Sequence, residues 1–536
     1  VKLPREVKIK VCQEIDQIEK DIDFFFSDNP LKKEGYAQAV WTLLSVVEDL
    51  HIKYLNASSS DEEIHMFADA MLNRLTYPLR VCHKESQRDP KTIRNELNND
   101  HYQFASDWLN SAKDYNYFCS IFPLWHRGEI KITVDRNDLK FGSELYLGKE
   151  YEAYNRIVHN EGKPVLPEQL LFPDKLKKLI LGNTTKKEDW FKVNFNPKLV
   201  SQLVTSLSSY FSSRYSLPEK WKFHEFSLEE YQLIFSTLQS MVWAWLMARI
   251  ELLPRLHALG YKSSIWVIKK EELLARLKRY TSIKIQIIEK VLNLITFGSS
   301  GIREPDIAIQ PLLNLENGFC ALSPLVWLHT NAERNLCVLL NQIPEQKEIY
   351  SRLKNKKESI LKEEIKQFFS SSNLSFHEGD IDGTNLDIAI IDRMEKSCLC
   401  LELKWFIEPA ETREINARTQ ELKKGVAQAT KIKALFNLKD ERLTINLLKI
   451  DSSYTFQAAI ASLNWIGHAD AQDENIPIIK LWPLMHKIKE IGSLKKVIKW
   501  LSKKEYLPKK GIDFDICPVD ISYGEWRAKW YGIKPL

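Results

Sequence analysis

The chain is short of cysteine, of net charge and of long apolar runs, and each shortage removes a class of function. Its eight cysteines in 536 residues contain no C-x-x-C, and the closest pair is Cys398 and Cys400. That pattern builds neither a disulfide scaffold nor a zinc knuckle and fits a reducing interior, so a cytoplasmic location is expected. The greasiest stretch, Ser240 to Ala248, ends at Arg249 and Glu251 and is too short to cross a bilayer. The charged start VKLPREVKIK is expected to carry no export signal, and no membrane partner is anticipated. With 76 basic against 71 acidic residues the net charge is only +5, which permits a polyanionic partner without demanding one. GNTTKK and GSSG lack the spacing of a phosphate-cradling G-x-x-x-x-G-K-[ST] loop, and H-E-x-x-H and G-x-S-x-G do not occur. ATP dependence, zinc-peptidase chemistry and serine-hydrolase chemistry therefore have no support.

What is present is a globular composition, 44 % hydrophobic and 27 % charged, with room for about three domains. Over residues 1–130 apolar positions recur at helical spacing, as in VWTLLSVVEDLHIKYL, and predict a helical domain. Residues 131–225 read as a mixed stretch with one short strand in GEIKITVD and several prolines. Residues 226–344 read as a second helical block with short strands, in which Trp243, Trp245 and Met247 are expected to fill a core. A boundary falls near Pro344, and 345–480 and 481–536 follow as two further segments.

Chemistry concentrates in 345–480. The helix ESILKEEIKQFFSS is followed by LSFHEGDI, a turn at Asp382-Gly383, NLDIAIID, a second turn and CLCLELKWF. Asp-Gly between runs of β-formers signals a hairpin, so a helix feeds three antiparallel strands. The long helix REINARTQELKKGVAQATKIKALF comes next, and RLTINLLKI is expected to be the strand after it. Alternation along CLCLELKW puts Cys400, Glu402 and Lys404 on one face and Leu399, Leu401, Leu403 and Trp405 on the other. Asp387 interrupts the apolar run LDIAII, where a buried strand would carry an aliphatic residue. Beside Glu402 it would make a pair of carboxylates next to one ammonium, costly to bury without an offsetting cation and suited to Mg²⁺ or Mn²⁺.

These residues resemble the PD-(D/E)xK nuclease superfamily. Asp387 stands for the acid of the second strand and Glu402-Leu403-Lys404 for the (D/E)-x-K tripeptide, with Leu386 where the family has proline. The resemblance spans roughly 352–480. It implies an α+β multidomain chain, a largely α-helical N-terminal part followed by a restriction-endonuclease-like αβββαβ core. Family members often add a glutamate on the first helix and a glutamine on the later one. With about 100° per residue, Glu364 shares an arc with Leu361, Ile365, Phe368 and Phe369 whereas Glu363 does not, so Glu364 is the expected helix acid. Gln428 fits the glutamine position better than Gln420. By resemblance Asp387, Glu402 and the Leu403 carbonyl would hold Mg²⁺, with Mn²⁺ as a substitute, and Lys404 would position the attacking water. The implied reaction is hydrolysis of nucleic acid, DNA before RNA, and the superfamily's typical settings include bacterial defence against phage or mobile DNA. A regulatory protein partner or a homo-oligomer is compatible with the large N-terminal part. The alternative is a catalytically inactive, nuclease-like binding or scaffold protein.

Three other signals compete. Pro305-Asp306 has no E-x-K strand after it and reads as a turn. Arg94 and His101 match, loosely, the spacing of helical HEPN ribonucleases. Lys495, Lys496, Lys499, Lys503 and Lys504 make 481–536 a basic extension, with Trp482, Trp500 and Tyr506 nearby, and suit a nucleic-acid backbone. Trp526 and Trp530, four apart, are expected on one face of a helix.

Overall fold

The computed structural model describes residues 5–536 apart from 57–60, 89–97, 159–173, 188–189, 213–216, 219, 253–263, 317, 355, 382 and 407–411. It is α+β, with helices through the N-terminal part and several sheets later. The chain divides into two compact units, and neither is continuous. One comprises Val1–Cys119, Val165–Ser351 and Tyr523–Glu525; the other comprises Ser120–Pro164, Arg352–Ser522 and Trp526–Leu536. This differs from five consecutive segments: the stretch 131–225 is shared between the units, and most of 481–536 belongs with the sheet instead of extending from it.

In the first unit, Tyr36–Asn56 and Asp61–Glu85 pack through Val40, Leu44 and Val47 against Leu72, Leu75 and Leu79. The helix Leu228–Leu252 is long and apolar enough to cross a membrane by length and composition, yet it is largely buried inside the protein. Apolar residues on all sides make it a core helix, and Trp243 and Trp245 are buried as expected. Its buried Arg249 pairs with Asp49 at 3.2 Å and donates to the Ser264 carbonyl at 3.0 Å. Asp306 accepts from Thr76 Oγ1 at 3.1 Å and from the Ala308 N–H at 2.8 Å, which makes it a turn cap. His101 pairs with Glu34 at 2.7 Å, and Arg94 lies outside the described residues.

The second unit is built on a five-stranded sheet. In chain order its elements are α1 (Lys357–Phe368), β1 (Ser375–Ile381), β2 (Thr384–Asp392), β3 (Ser397–Lys404), α2 (Thr412–Asn437), β4 (Thr455–Ser462), β5 (Ile478–Lys480), α3 (Leu481–Ile491) and α4 (Leu494–Ser502). The strands lie side by side as β5-β4-β3-β2-β1. β1, β2 and β3 are antiparallel; β4 and β5 run parallel to β3. Ile381 pairs with Thr384, so the first hairpin closes in two residues, and Gly383 supplies the positive φ of +78° that this turn needs. β3 is central and buried from Ser397 to Leu403, which explains its near-continuous apolar run.

Two expectations are corrected here. RLTINLLKI is not the strand after α2: Arg442–Leu448 is a wide helical turn, and β4 begins thirteen residues later at Thr455. Leu443, Ile445 and Leu447 alternate as a strand would, but Asp440 caps the turn: its Oδ1 accepts the Arg442 N–H at 3.0 Å, and its main-chain carbonyl accepts from the Thr444 N–H and hydroxyl at 2.9 and 2.8 Å. The slot beside β3 goes to TFQAAIAS, whose Ala458, Ala459 and Ala461 are buried. GEIKITVD supplies the one short strand expected of it, Ile132–Asp135, which with Asp138–Phe141, Trp526–Pro535 and Phe514–Tyr523 forms a four-stranded sheet. Trp526 and Trp530 therefore share a face of a strand, and Trp530 packs edge-on against Phe141.

Candidate active site

The site forms where two neighbouring strands part. β2 and β3 pair from Asp392–Ser397 to Ile388–Leu401 and no further. Beyond that point β2 stays with β1, Leu386 opposite Gly379, while β3 stays with β4 as far as Lys404 opposite Ser462. Asp387 stands at the gap. Its Oδ2 accepts the Leu403 N–H at 2.8 Å, and its Oδ1 accepts Asn385 Nδ2 at 3.1 Å. The N–H and C=O of a strand residue point to the same neighbour, so the Leu403 carbonyl faces this gap as well. Two residues apart on β3, Glu402 and Lys404 share a face, and Lys404 Nζ donates to Glu402 Oε1 at 2.6 Å. Asp387 is 4 % and Glu402 6 % exposed, and burial of two acids on adjacent strands is costly without cations beside them.

α2 closes over this face through a residue that the sequence reading passed over. A Cβ on Gly425 would lie 3.0 Å from Lys404 Cε, 3.3 Å from Ile460 Cδ1 and 3.6 Å from Glu402 Cγ. The helix backbone thus rests directly on the Lys404 and Glu402 side chains. The signal was available: glycine in a helix interior costs about 1 kcal/mol against alanine and calls for a packing reason. Gln428, three residues on, is half-buried and has no hydrogen-bond partner among the described residues. Lys431 Nζ ties α2 to the first hairpin through the Gly383 carbonyl at 2.6 Å. Gln420 is exposed.

α1 brings a lysine, not the expected acid, to Asp387. Lys362 Nζ lies 3.9 Å from Asp387 Oδ1 and 3.2 Å from Glu378 Oε2. Glu364, two residues further and so about 200° round the helix, is exposed and borders the other edge of the buried arc. An apolar arc has two edges, and periodicity does not say which one meets Asp387; here it is the edge that carries Lys362. Glu378 bonds both Lys362 and Lys366, the latter at 2.8 Å. The Lys366 hydrogen bond, with Lys362 beside it, holds the Glu378 carboxyl below its ordinary value. Next to it His377 lies 3.3 Å from Arg393, and partial burial together with that arginine lowers its pKa.

The basic stretch sits elsewhere. α4 starts at the far end of β3: Glu395, in the β2–β3 turn, accepts from Ser493 Oγ at 2.9 Å and from the Lys495 N–H at 3.1 Å. From Ser397 to Glu402 is about 16 Å along the strand. At the other end of α4, Ser502 donates to Gln457, which pairs with Leu399 and so belongs to the sheet face opposite Glu402 and Lys404. Lys495, Lys496, Lys499 and Lys503 are exposed. Lys504 is structural, donating to the Asp473 carbonyl at 2.7 Å and to Tyr151. Lys480 is structural as well: it is buried and donates to the Asn155 and Val158 carbonyls at 3.0 and 2.6 Å.

The donors at the gap, two carboxylates and a main-chain carbonyl, are all hard oxygens and fit Mg²⁺ or Mn²⁺. Lys362 and Lys404 stand against those carboxylates. No family model, curated protein or solved structure matches the chain.

Proposed function

We propose that the second unit is a metal-dependent nuclease domain of the PD-(D/E)xK type, hydrolysing phosphodiester bonds of nucleic acid, with DNA the favoured substrate. The observation that carries this reading is that, where β2 and β3 part, Asp387 bonds the N–H of Leu403, the residue between Glu402 and Lys404, which pair with each other. The order helix, three antiparallel strands, helix and parallel strand supports a restriction-endonuclease-like core. A setting in defence against phage or mobile DNA, and a regulatory role for the helical unit, follow from the resemblance.

Asp387, Glu402 and the Leu403 carbonyl would hold Mg²⁺. Bound there, the metal supplies a water of lowered pKa and stabilises charge on the phosphate. The chain's own residues do the rest. The Leu403 N–H fixes the Asp387 carboxylate through Oδ2. Lys404, held against Glu402, keeps an ammonium where negative charge develops and orients the attacking water. Gln428 offers a half-exposed amide to a substrate phosphate or sugar.

A second reading is an inactive nuclease-like core that binds nucleic acid or serves as a scaffold. It is favoured by the two ammonium groups already set against the two carboxylates, as in a purely structural ion cluster. The deciding experiment exposes plasmid, linear duplex, single-stranded DNA and total RNA to the full chain with Mg²⁺, Mn²⁺ or EDTA, beside Lys404→Ala. Cleavage that EDTA abolishes and Lys404→Ala lowers by about 10²-fold or more supports the nuclease. Absence of cleavage on every substrate favours the inactive core, and cleavage that ignores both EDTA and the substitution moves the chemistry elsewhere.

A further inference from the structure

The second cation at the gap has no part in the reaction just described, and its surroundings give it one. Lys362 Nζ sits between two carboxylates, 3.2 Å from Glu378 Oε2 and 3.9 Å from Asp387 Oδ1. Its side chain is 15 % exposed and that of Asp387 5 %, so water screens the pair weakly. Asp387 commits Oδ2 to the Leu403 N–H, whereas Oδ1, the oxygen nearer Lys362, accepts only the neutral Asn385 amide at 3.1 Å among the hydrogen bonds of the described residues and is the one set against a cation. Glu378 is itself fixed: its other oxygen bonds Lys366 at 2.8 Å, and Lys366 is held in turn by Glu363 at 2.7 Å.

We propose that Lys362 competes with the divalent metal for Asp387 and that Glu378 is the carboxylate that draws its ammonium aside, so that the pair sets the metal affinity of the site. This rests on the metal-site reading above and adds its regulation. The physical argument is charge arithmetic. An ammonium beside Asp387 Oδ1 repels any cation using that oxygen, and a carboxylate on the far side of the ammonium cancels most of the repulsion. Neutralising the lysine and neutralising the glutamate must therefore move metal binding in opposite directions. A merely structural salt bridge would give the same direction for both, because either change breaks the same contact.

The test is Mn²⁺ binding to the full chain, followed by calorimetry or by loss of the free-ion electron paramagnetic signal, with no substrate present. Lys362→Met is expected to tighten binding about tenfold and Glu378→Gln to weaken it by a similar factor, while Lys362→Arg stays near the wild type. Lys362→Gln repeats the first measurement with a polar side chain if the methionine variant does not fold. Binding that is unchanged or weaker in the neutral variants Lys362→Met and Lys362→Gln, or shifts of one sign in these and Glu378→Gln, overturns the proposal. Asp387→Asn separates the two levels. If Mn²⁺ binding is abolished by Asp387→Asn but indifferent to Lys362 and Glu378, this inference fails alone. If wild type binds no Mn²⁺, or Asp387→Asn binds it as well as wild type, the metal-site reading fails and takes this inference with it.

Discussion

A glycine in the middle of a 26-residue helix is worth explaining residue by residue. Alanine at 425 would favour the helix by about 1 kcal/mol, but its methyl would press on Lys404 Cε. That atom is near the end of a flexible side chain and yields cheaply, so Gly425→Ala should leave stability within about 1 kcal/mol of wild type by thermal unfolding. The same displacement moves the ammonium off Glu402, and cleavage should fall about tenfold or more; equal loss of stability and activity would contradict this. Asp387→Asn should abolish cleavage and divalent-metal binding together, and Lys404→Ala cleavage alone, as calorimetry beside the assay would show. A separate residue, His468, responds to pH. Burial lowers its pKa from 6.5 despite the opposing pull of Glu152, so the unfolded chain binds the proton first. The sign follows: stability holds above 6.5 and declines as pH falls below it, by at most about 1.4 kcal/mol per pH unit for one group. Denaturant unfolding of His468→Asn at pH 7 and 5.5 should show a smaller loss than wild type.

Helices and strands were legible in proportion to how far their signals were local. The Asp382-Gly383 hairpin, the buried runs of β2 and β3, and the interrupting Asp387 are written in adjacent residues, and the Ile381–Thr384 pairing follows from them, whereas the parting of β2 from β3 is visible only in the fold. The partner of β3 was not local. RLTINLLKI outscores TFQAAIAS on β-branched content, yet TFQAAIAS takes the slot with small side chains on both faces, Ala458 on the side of α2 and Ala459 and Ala461 on the other, and the Asp440 side chain caps the competing segment as a helical turn. Lys362 was illegible for a similar reason, since a helical arc does not declare its orientation over a sheet. The basic helix α4 gives the prediction proper to this scale. Its exposed lysines lie on the face opposite Glu402, at the other end of β3. Reversing Lys495, Lys496 and Lys499 to glutamate should leave turnover on a short oligonucleotide within about twofold. It should weaken binding of long duplex and reduce the salt slope by up to about three. A large loss of turnover on the short substrate would place the helix at the scissile phosphate after all.

At the scale of the molecule, the unit holding the site is assembled from three stretches of chain, and the first of them is structural to it. Helix Lys149–Ile157 puts Tyr154 in the sheet's core, where it meets Tyr506 edge-on at 5.5 Å. Asn155 accepts from the Ile466 N–H and donates to the Gly467 carbonyl, and the end of this helix takes two bonds of buried Lys480. Removing it would strip an aromatic from the core, about 3–5 kcal/mol, and strand an ammonium, about 3 kcal/mol more. Together these rival the whole stability of a domain, about 5–15 kcal/mol. A fragment of residues 352–536 should therefore lack a cooperative thermal transition by near-ultraviolet circular dichroism, whereas the full chain shows one. Lys480→Met in the full chain, which removes the charge together with its need for partners, should cost far less than the deletion. A sharp transition for 352–536 within a few degrees of the full chain would refute the dependence. The consequence reaches the chemistry: an excised 345–480 segment that cleaves nothing would report a core missing its first stretch, so the nuclease reading has to be judged on the intact chain.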